Sequence, residues 1–317
     1  FSVTPAAPQS ACRVHPIAVP GYVPTDFTYF SQPDGFATPF TLTALNQSDA
    51  PTKNYIGLFA RISATGWSWT NTLSADGLRF GTSAPLLAGS ILTAATQGGF
   101  PAVPSGSWSN GATALTSVKH QVSRPTAIAG ETAITITALP LDPDGVTMAA
   151  AAAVSTSPTA LRFGRIRVQN AYGSERLALP VPVHVQYWNG SIWAGNVDDS
   201  CTALSVPAIV TLGASAVPLG AAALYFYPIS AKNKLISTDT VPTTTAALVG
   251  GSAIVNFPAP INPGWLDIIL GVPDYLQFNW GNCMGQTGTV GLLDDRPCAR
   301  ATFGIYRSPL IYHRENY

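Results

Sequence analysis

Closely spaced aspartates come nearest to a catalytic or metal-binding pattern in this sequence. Three pairs occur: Asp142 and Asp144, Asp198 and Asp199, and Asp294 and Asp295. A glycosidase needs two carboxylates that face each other across a cleft, whereas adjacent residues of one strand point in opposite directions. Aspartates spaced this closely in loops favour Asx turns, with Ca²⁺ ligation as the alternative. Asp294 and Asp295, which follow a glycine-rich run, are the candidate Ca²⁺ ligands, and we expect no other cofactor.

Histidines and nucleophile motifs give no catalytic centre. The four histidines are spread along the chain: His15, His120, His184 and His313. None has a second ligand at a metal-site spacing. The sequence contains no G-x-S-x-G, no Ser-x-x-Lys and no phosphate-binding loop between a strand and a helix. We therefore expect no catalytic residues and predict that the protein is not an enzyme.

The cysteines predict disulfides. There are four, with no CxxC spacing: Cys12, Cys201, Cys283 and Cys298. An even set of this kind favours disulfides in an oxidising compartment over zinc or thiol redox chemistry. Of the three pairings, a local bond between Cys283 and Cys298 is the natural choice, which leaves Cys12 with Cys201. The second bond would close a long loop and contribute ~5 kcal/mol.

Aromatic residues are the remaining chemical resource. The sequence has 7 Trp and 11 Tyr, and rings on strands either fill a core or stack on sugars. Tyr187, Trp188 and Trp193 surround a turn at Asn189-Gly190 and form the set that we expect to be most exposed. Core packing is the commoner role for any single Trp, and an exposed pair would indicate a glycan-binding surface.

Composition limits the partners. Of the 317 residues only 10% are charged and the formal net charge is +0. The basic residues are scattered, which excludes nucleic acid as a partner, and no apolar run reaches the length of a membrane span. The hydroxyl-rich, low-charge composition is typical of an extracellular β-protein. Because the sequence starts at Phe1 without a signal peptide, we expect a processed or truncated piece of a longer exported precursor.

Hydrophobic periodicity predicts an all-β fold with little helix. Residues 1–26 are Pro-rich and should run extended. From Phe27 onward, short segments with a two-residue period alternate with Gly, Pro, Asn and Asp clusters, which is typical of β-sandwiches. We predict tandem Ig-like or jelly-roll-like β-sandwich domains at residues 27–160 and 161–317.

The stretch from Leu161 to Leu204 is the most distinctive part of the chain. It predicts β-hairpins with turns at Tyr172–Ser174 and Trp188–Ser191. In the strand leading to the second turn, alternate residues place three valines on one face and polar side chains on the other. One face should pack in the core and the other is a candidate working surface.

The words NAYGSE, QYWNG and DDSC in this stretch, with DYLQFNW and RATFGIY further on, resemble the C-terminal region of MshQ-type proteins of mannose-sensitive haemagglutinin pilus biogenesis. FTYFSQPDGFATPFTLTALN resembles the first part of the same region. The resemblance implies an exported bacterial protein of a type IV pilus system. Members often carry an acidic run near the DYLQF-like word, of which this chain keeps only Asp294 and Asp295.

Residues and resemblance together predict a secreted, non-enzymatic structural or adhesin-like component of a type IV pilus or a related extracellular filament at the bacterial cell surface. Its expected partners are pilus or filament subunits. Two alternatives stay open: a homopolymeric filament subunit that assembles with copies of itself by strand addition, and a carbohydrate-binding module.

Overall fold

Short β-strands make up the regular structure of the computed structural model, and the all-β prediction is confirmed. The structure describes residues 1–13, 23–62, 77–95, 108–115, 119–148, 152–204, 208–211, 223–226, 240, 242–244, 248–281 and 296–304. Within these ranges the helices are two single 3₁₀ turns, Gly57–Phe59 and Asp274–Leu276. In the same ranges no helix is long and apolar enough to cross a membrane.

The chain divides into two compact units. The first unit comprises Phe1–Gly164 and Gln186–Cys201, and the second comprises Arg165–Val185 and Thr202–Tyr317. The chain therefore passes from the first unit to the second, returns, and leaves again.

In the part of residues 1–164 that the structure describes there are twelve strands that lie wholly within the first unit: β1 (Ser2–Pro5), β2 (Phe27–Tyr29), β3 (Phe36–Ala37), β4 (Phe40–Thr43), β5 (Gly77–Thr82), β6 (Leu92–Ala94), β7 (Ala112–Leu115), β8 (Lys119–Val122), β9 (Thr132–Ile134), β10 (Ile136–Leu141), β11 (Ala153–Val154) and β12 (Thr159–Arg162). They form four three-stranded sheets in the orders β1-β4-β7, β11-β10-β5, β2-β12-β9 and β3-β8-β6. The boundary between domains that the sequence predicts, after residue 160, falls inside β12.

The remaining strands are β13 (Gly164–Val168), β14 (Ala171–Gly173), β15 (Leu179–Trp188), β16 (Trp193–Gly195), β17 (Ala208–Thr211), β18 (Ala223–Phe226), β19 (Thr243–Thr244), β20 (Ser252–Phe257), β21 (Gly264–Ile269) and β22 (Cys298–Phe303). One sheet has the order β14-β22-β21-β18-β17, and another has the order β13-β15-β20-β19, with β16 paired to β15. β15 begins in the second unit and ends in the first.

An aromatic cluster joins three of the four sheets of the first unit. The ring of Phe80 on β5 lies 5.9 Å from that of Phe40 on β4 and 4.9 Å from the imidazole of His120 on β8. All three side chains are buried. The short strands of this unit therefore derive their stability from sheet-on-sheet packing, because an isolated two-stranded ribbon is only marginally stable.

The Pro-rich N-terminal segment is part of the first unit. β1 is an edge strand that pairs with β4. Further along, Gln9 exchanges backbone hydrogen bonds with Ala37, and Cys12 does so with Phe27. Its first thirteen residues, which the structure describes, are extended, as the prolines predict, and they bond to neighbouring strands through β1, Gln9 and Cys12.

The sequence placed one turn of the central stretch wrongly. Residues Ala171–Gly173 are not a turn but β14, which pairs in parallel with β22. The chain reverses just afterwards, where the N–H of Leu177 donates to the carbonyl of Ser174 at 3.3 Å. Glycine and serine signalled the reversal, but the strand pairing depends on β22, more than 120 residues away in the sequence, and no local pattern reveals it.

Candidate binding surface on the β15–β16 hairpin

The β15–β16 hairpin lies in the second half of the distinctive stretch, and its turn is fixed by one asparagine. The Oδ1 of Asn189 accepts the backbone N–H groups of Ser191 at 3.0 Å and Ile192 at 2.9 Å. Gly190 adopts φ +101°, which a residue with a Cβ rarely tolerates. The Asn-Gly pair therefore forms the turn that it predicts and presents the exposed Ile192 at the tip.

Two tryptophans face each other where the hairpin closes. Trp188 and Trp193 are directly opposite in the register, and their rings lie 5.6 Å apart in an edge-to-face arrangement. Trp193 also packs edge-on against the buried Phe163 at 6.3 Å. Both tryptophans are half-buried. They are anchored on one side and offer apolar surface to solvent on the other.

Tyr187, the third residue predicted to stack on a ligand, makes a different contact. Its ring centre lies 4.4 Å from the guanidinium carbon of Arg162, and the same carbon lies 4.5 Å from the ring centre of Phe27. One face of Tyr187 is therefore occupied by a cation–π contact within the protein. The exposed aromatic part of the hairpin consists mainly of the tryptophan pair.

Arg162 is the centre of a buried ion network beneath the hairpin. Only 3% of the residue is exposed. Its Nε donates to Glu131 at 2.5 Å, and its Nη1 donates to the side-chain oxygens of Asn196 at 2.7 Å and Asp198 at 2.6 Å. Burial alone would lower the pKa of Arg162, but its hydrogen bonds and charge interactions with Glu131 and Asp198 outweigh that effect and raise the pKa. The guanidinium is therefore held as a cation.

The two aspartates of the DDSC word extend this network. Asp198 Oδ1 accepts the backbone N–H of Thr25 at 3.1 Å. Asp199 accepts the hydroxyl of Tyr29 at 2.7 Å on Oδ2 and the backbone N–H of Cys201 at 3.1 Å on Oδ1. Each carboxylate thus fixes backbone or a buried side chain, so this pair has a structural role.

The Cys12–Cys201 disulfide adjoins the network. It joins residues that are 189 apart in sequence, with a Cα–Cα distance of 5.6 Å. Cys12 and Cys201 also lie near Asp199 in a group with the composition of a metal site, but sulfurs bonded to each other are not available as thiolate ligands. Cys298 is also disulfide-bonded, and Cys283 lies outside the described residues.

The other predicted residues are distributed as follows. Asp142 Oδ1 accepts the backbone N–H groups of Asp144 at 3.0 Å and Val146 at 2.9 Å, so this pair forms an Asx turn. The candidate Ca²⁺ ligands Asp294 and Asp295 lie outside the described residues.

One hydroxyl–imidazole pair has the geometry of a nucleophile and its base. Thr38 Oγ1 lies 2.6 Å from Nε2 of His120. Both residues are 0% exposed, and burial lowers the pKa of His120 to about 3. The imidazole is therefore neutral at physiological pH, and a substrate has no access to the hydroxyl. The pair satisfies two polar groups in the core.

One feature of the sequence points to the Arg162 network. Along RFGRIRVQ, Arg162 shares its alternation with Ile166 and Val168, and all three are buried. An arginine in phase with core residues predicts buried partners. It does not identify them, because Glu131 and Asp198 lie more than 30 residues away on either side.

Comparison with protein families divides the chain near the first of the points at which it passes between the two units. Residues 1–164 match the third domain of DUF6701, and residues 162–316 match the fourth domain. The chain belongs to the DUF6701 family. The two DUF6701 domains meet at β12 and the start of β13, and the hairpin that completes the first unit lies within the segment matched to the fourth domain.

Other comparisons add little. No curated protein matches this DUF6701 chain. Among solved structures, it is similar to FdeC, described as a broadly conserved Escherichia coli adhesin, with 14% identity and a TM-score of 0.27. The match covers 95% of this chain and 62% of that one, so the chain spans less than two thirds of FdeC. A TM-score this low does not establish a common fold.

Proposed function

We propose that this DUF6701 chain is an exported, non-enzymatic structural or adhesin-like component of a bacterial surface fibre such as a type IV pilus. The observation that carries the proposal is the Cys12–Cys201 bond. Disulfides persist in oxidising compartments and are rare in the cytosol. A bond that closes most of the first unit suits a protein that must stay folded outside the cell without chaperones.

The resemblance to MshQ-type proteins supports the pilus assignment. Its distinctive words fall on residues that hold the fold together. DDSC supplies the buried aspartates and one half of the disulfide, QYWNG forms the end of β15 and its turn, and NAYGSE contains β14, which pairs with the RATFG strand. A shared fold is the simplest reason for these words to recur together.

Location on native cells tests the proposal. We expect antibody against the chain to label intact cells by immunogold electron microscopy, with label following filaments, and brief external proteolysis to remove the label. The labelled protein should carry the Cys12–Cys201 bond by mass spectrometry without reduction. Recovery from the cytoplasm with both thiols reduced, or label that never coincides with a filament, would refute the assignment.

A homopolymeric filament is a variant that the edge position of β1 favours. An edge strand can pair with a neighbouring molecule, or leave its own sheet and enter another. Donation would require Ser2–Pro5 to exchange β4 of its own chain for β4 of a neighbour. We expect deletion of residues 1–10 to abolish assembly of purified protein as seen by electron microscopy; filaments of unchanged length would eliminate this variant.

Carbohydrate binding is the second candidate, and the half-exposed Trp188–Trp193 pair favours it. Sugar rings stack on aromatic faces, and a hairpin tip is accessible to a polymer. We expect Trp188→Ala to remove most of the signal of the wild-type chain on a glycan array. Ile192→Ala, at an exposed position of the same turn, is the matched control and should retain it. Equal binding by both variants would exclude the tryptophan pair as the site.

A further inference from the structure

The outward face of β13 carries two arginines. Alternate residues of the strand, among them Ile166 and Val168, are buried. Arg165 and Arg167 occupy the opposite face, where Arg165 is half-buried and Arg167 is exposed. Residues i and i+2 of a strand project to the same side. The strand therefore places two positive charges next to each other on the surface of the second unit.

Arg165 is held in a fixed position by aromatic rings. Its guanidinium carbon lies 5.0 Å from the ring centres of both Phe278 and Trp280, and these two rings contact each other edge to face at 5.6 Å. Desolvation, followed by the charge of Arg167, lowers the pKa of Arg165 to about 10. The side chain remains a cation at neutral pH, with its plane oriented by its neighbours.

Arg167 extends the charge toward the neighbouring strand. The N–H of Gln169 donates to the carbonyl of Pro182, and in an antiparallel register this pairing puts Arg167 beside His184. The ring Nδ1 of His184 is 3.2 Å from Oγ of Ser252 on the next strand, β20. Arg167 makes no ion pair with any residue that the structure describes. We name Arg165, Arg167 and His184 the basic strip.

The neighbouring strand adds polar groups to an open surface. On β20 the outward positions are Ser252, Ile254 and Asn256, and Ser252 is the one that pairs with His184. The Ser252 hydroxyl beside the imidazole and the two arginines matches the chemistry of a sugar that bears acidic substituents. A row of groups that crosses three strands, from Arg167 through His184 to Ser252, suits an extended repeating polymer, whose many weak contacts add up, better than a single small molecule.

We propose that the basic strip binds an anionic polysaccharide, with Arg167 pairing with carboxylate or sulfate groups along the polymer and the charge of Arg165 adding to the attraction. The site is separate from the β15–β16 hairpin and does not depend on the surface-fibre proposal, since binding is measured on the purified chain. An acidic protein segment is the competing occupant, which the experiment below separates.

The test measures binding of the purified full chain to immobilised polymers by biolayer interferometry. Alginate supplies carboxylates, dextran sulfate supplies sulfates, dextran is the neutral polymer, and poly-glutamate represents an acidic protein. The variant is Arg167→Gln, at an exposed position. The matched control is Arg176→Gln, which removes the same charge from the same unit at a side chain that is 88% exposed.

We expect the wild-type chain to bind alginate or dextran sulfate, to bind dextran and poly-glutamate at least tenfold more weakly, and to lose affinity as salt rises. Arg167→Gln should weaken binding about fivefold, in line with the loss of one exposed charge pair, and Arg176→Gln should leave it unchanged. Equal effects of the two variants would show diffuse charge attraction and overturn the site. Poly-glutamate binding as tight as alginate binding would overturn the saccharide assignment.

Discussion

The sharpest stability prediction concerns the Cys12–Cys201 bond. Replacing both cysteines with alanine opens a loop of 189 residues. On the chain-entropy model, closing a loop of that length lowers the entropy of the unfolded chain enough to contribute about 5 kcal/mol. This is a large part of the ~5–15 kcal/mol that separates folded from unfolded domains. We therefore expect the double variant to be marginally folded or unfolded in its first unit.

The assay is urea unfolding followed by hydrogen exchange and mass spectrometry, which resolves the peptides of the first unit. Peptides from residues 186–201 should exchange at much lower urea in the variant than in the wild-type chain. Arg176→Gln, at an exposed position of the second unit, serves as the control and should not move the transition. A loss below about 1 kcal/mol would refute the reasoning, because it would mean that residual structure in the unfolded state already holds these ends together.

Two further predictions concern buried polar groups. Arg162→Ala leaves Asp198 buried without its cation, and we expect it to lower the free energy of unfolding, measured in urea, by about 3–5 kcal/mol. The control Arg176→Ala, at an exposed position, should change the free energy of unfolding by less than about 0.5 kcal/mol. Equal losses in the two variants would contradict a stabilising role for the Arg162 network. His120 has a pKa of about 3 when folded and ~6.5 when unfolded, so the unfolded chain takes up the proton first. Stability should therefore fall as pH drops from about 6.5 toward 3, and His120→Gln should flatten that dependence; an unchanged dependence in this variant would contradict the assignment to His120.

Local patterns predicted some elements well. The alternation in β15 put Val181, Val183 and Val185 on one face, and all three are 0% exposed. The Asn189-Gly190 pair likewise marked its turn, because one side chain and one unusual φ suffice to form it. Such features depend on residues that are close in sequence.

Contacts between residues far apart in the chain could not be predicted from the sequence. The cation–π contacts of Arg162 come from Phe27 and Tyr187, and its ion pairs come from Glu131 and Asp198. Nothing in the spacing of these residues relates them, since the fold brings together segments from different strands. Only part of the basic strip can be predicted from the sequence. The alternation along β13 places its two arginines on one face, but the rings that hold Arg165 lie more than 110 residues further along the chain.

The path of the chain through the first unit has a consequence for folding during synthesis. That unit is not contiguous, because Gln186–Cys201 belongs to it while the 21 residues before this segment, Arg165–Val185, do not. A nascent chain that has emerged only to residue 164 lacks Tyr187, Asp198 and the sulfur of Cys201. The first unit therefore cannot be completed until the β15–β16 hairpin has been synthesised. The two DUF6701 domains are adjacent in sequence, but the first depends on part of the second to finish folding.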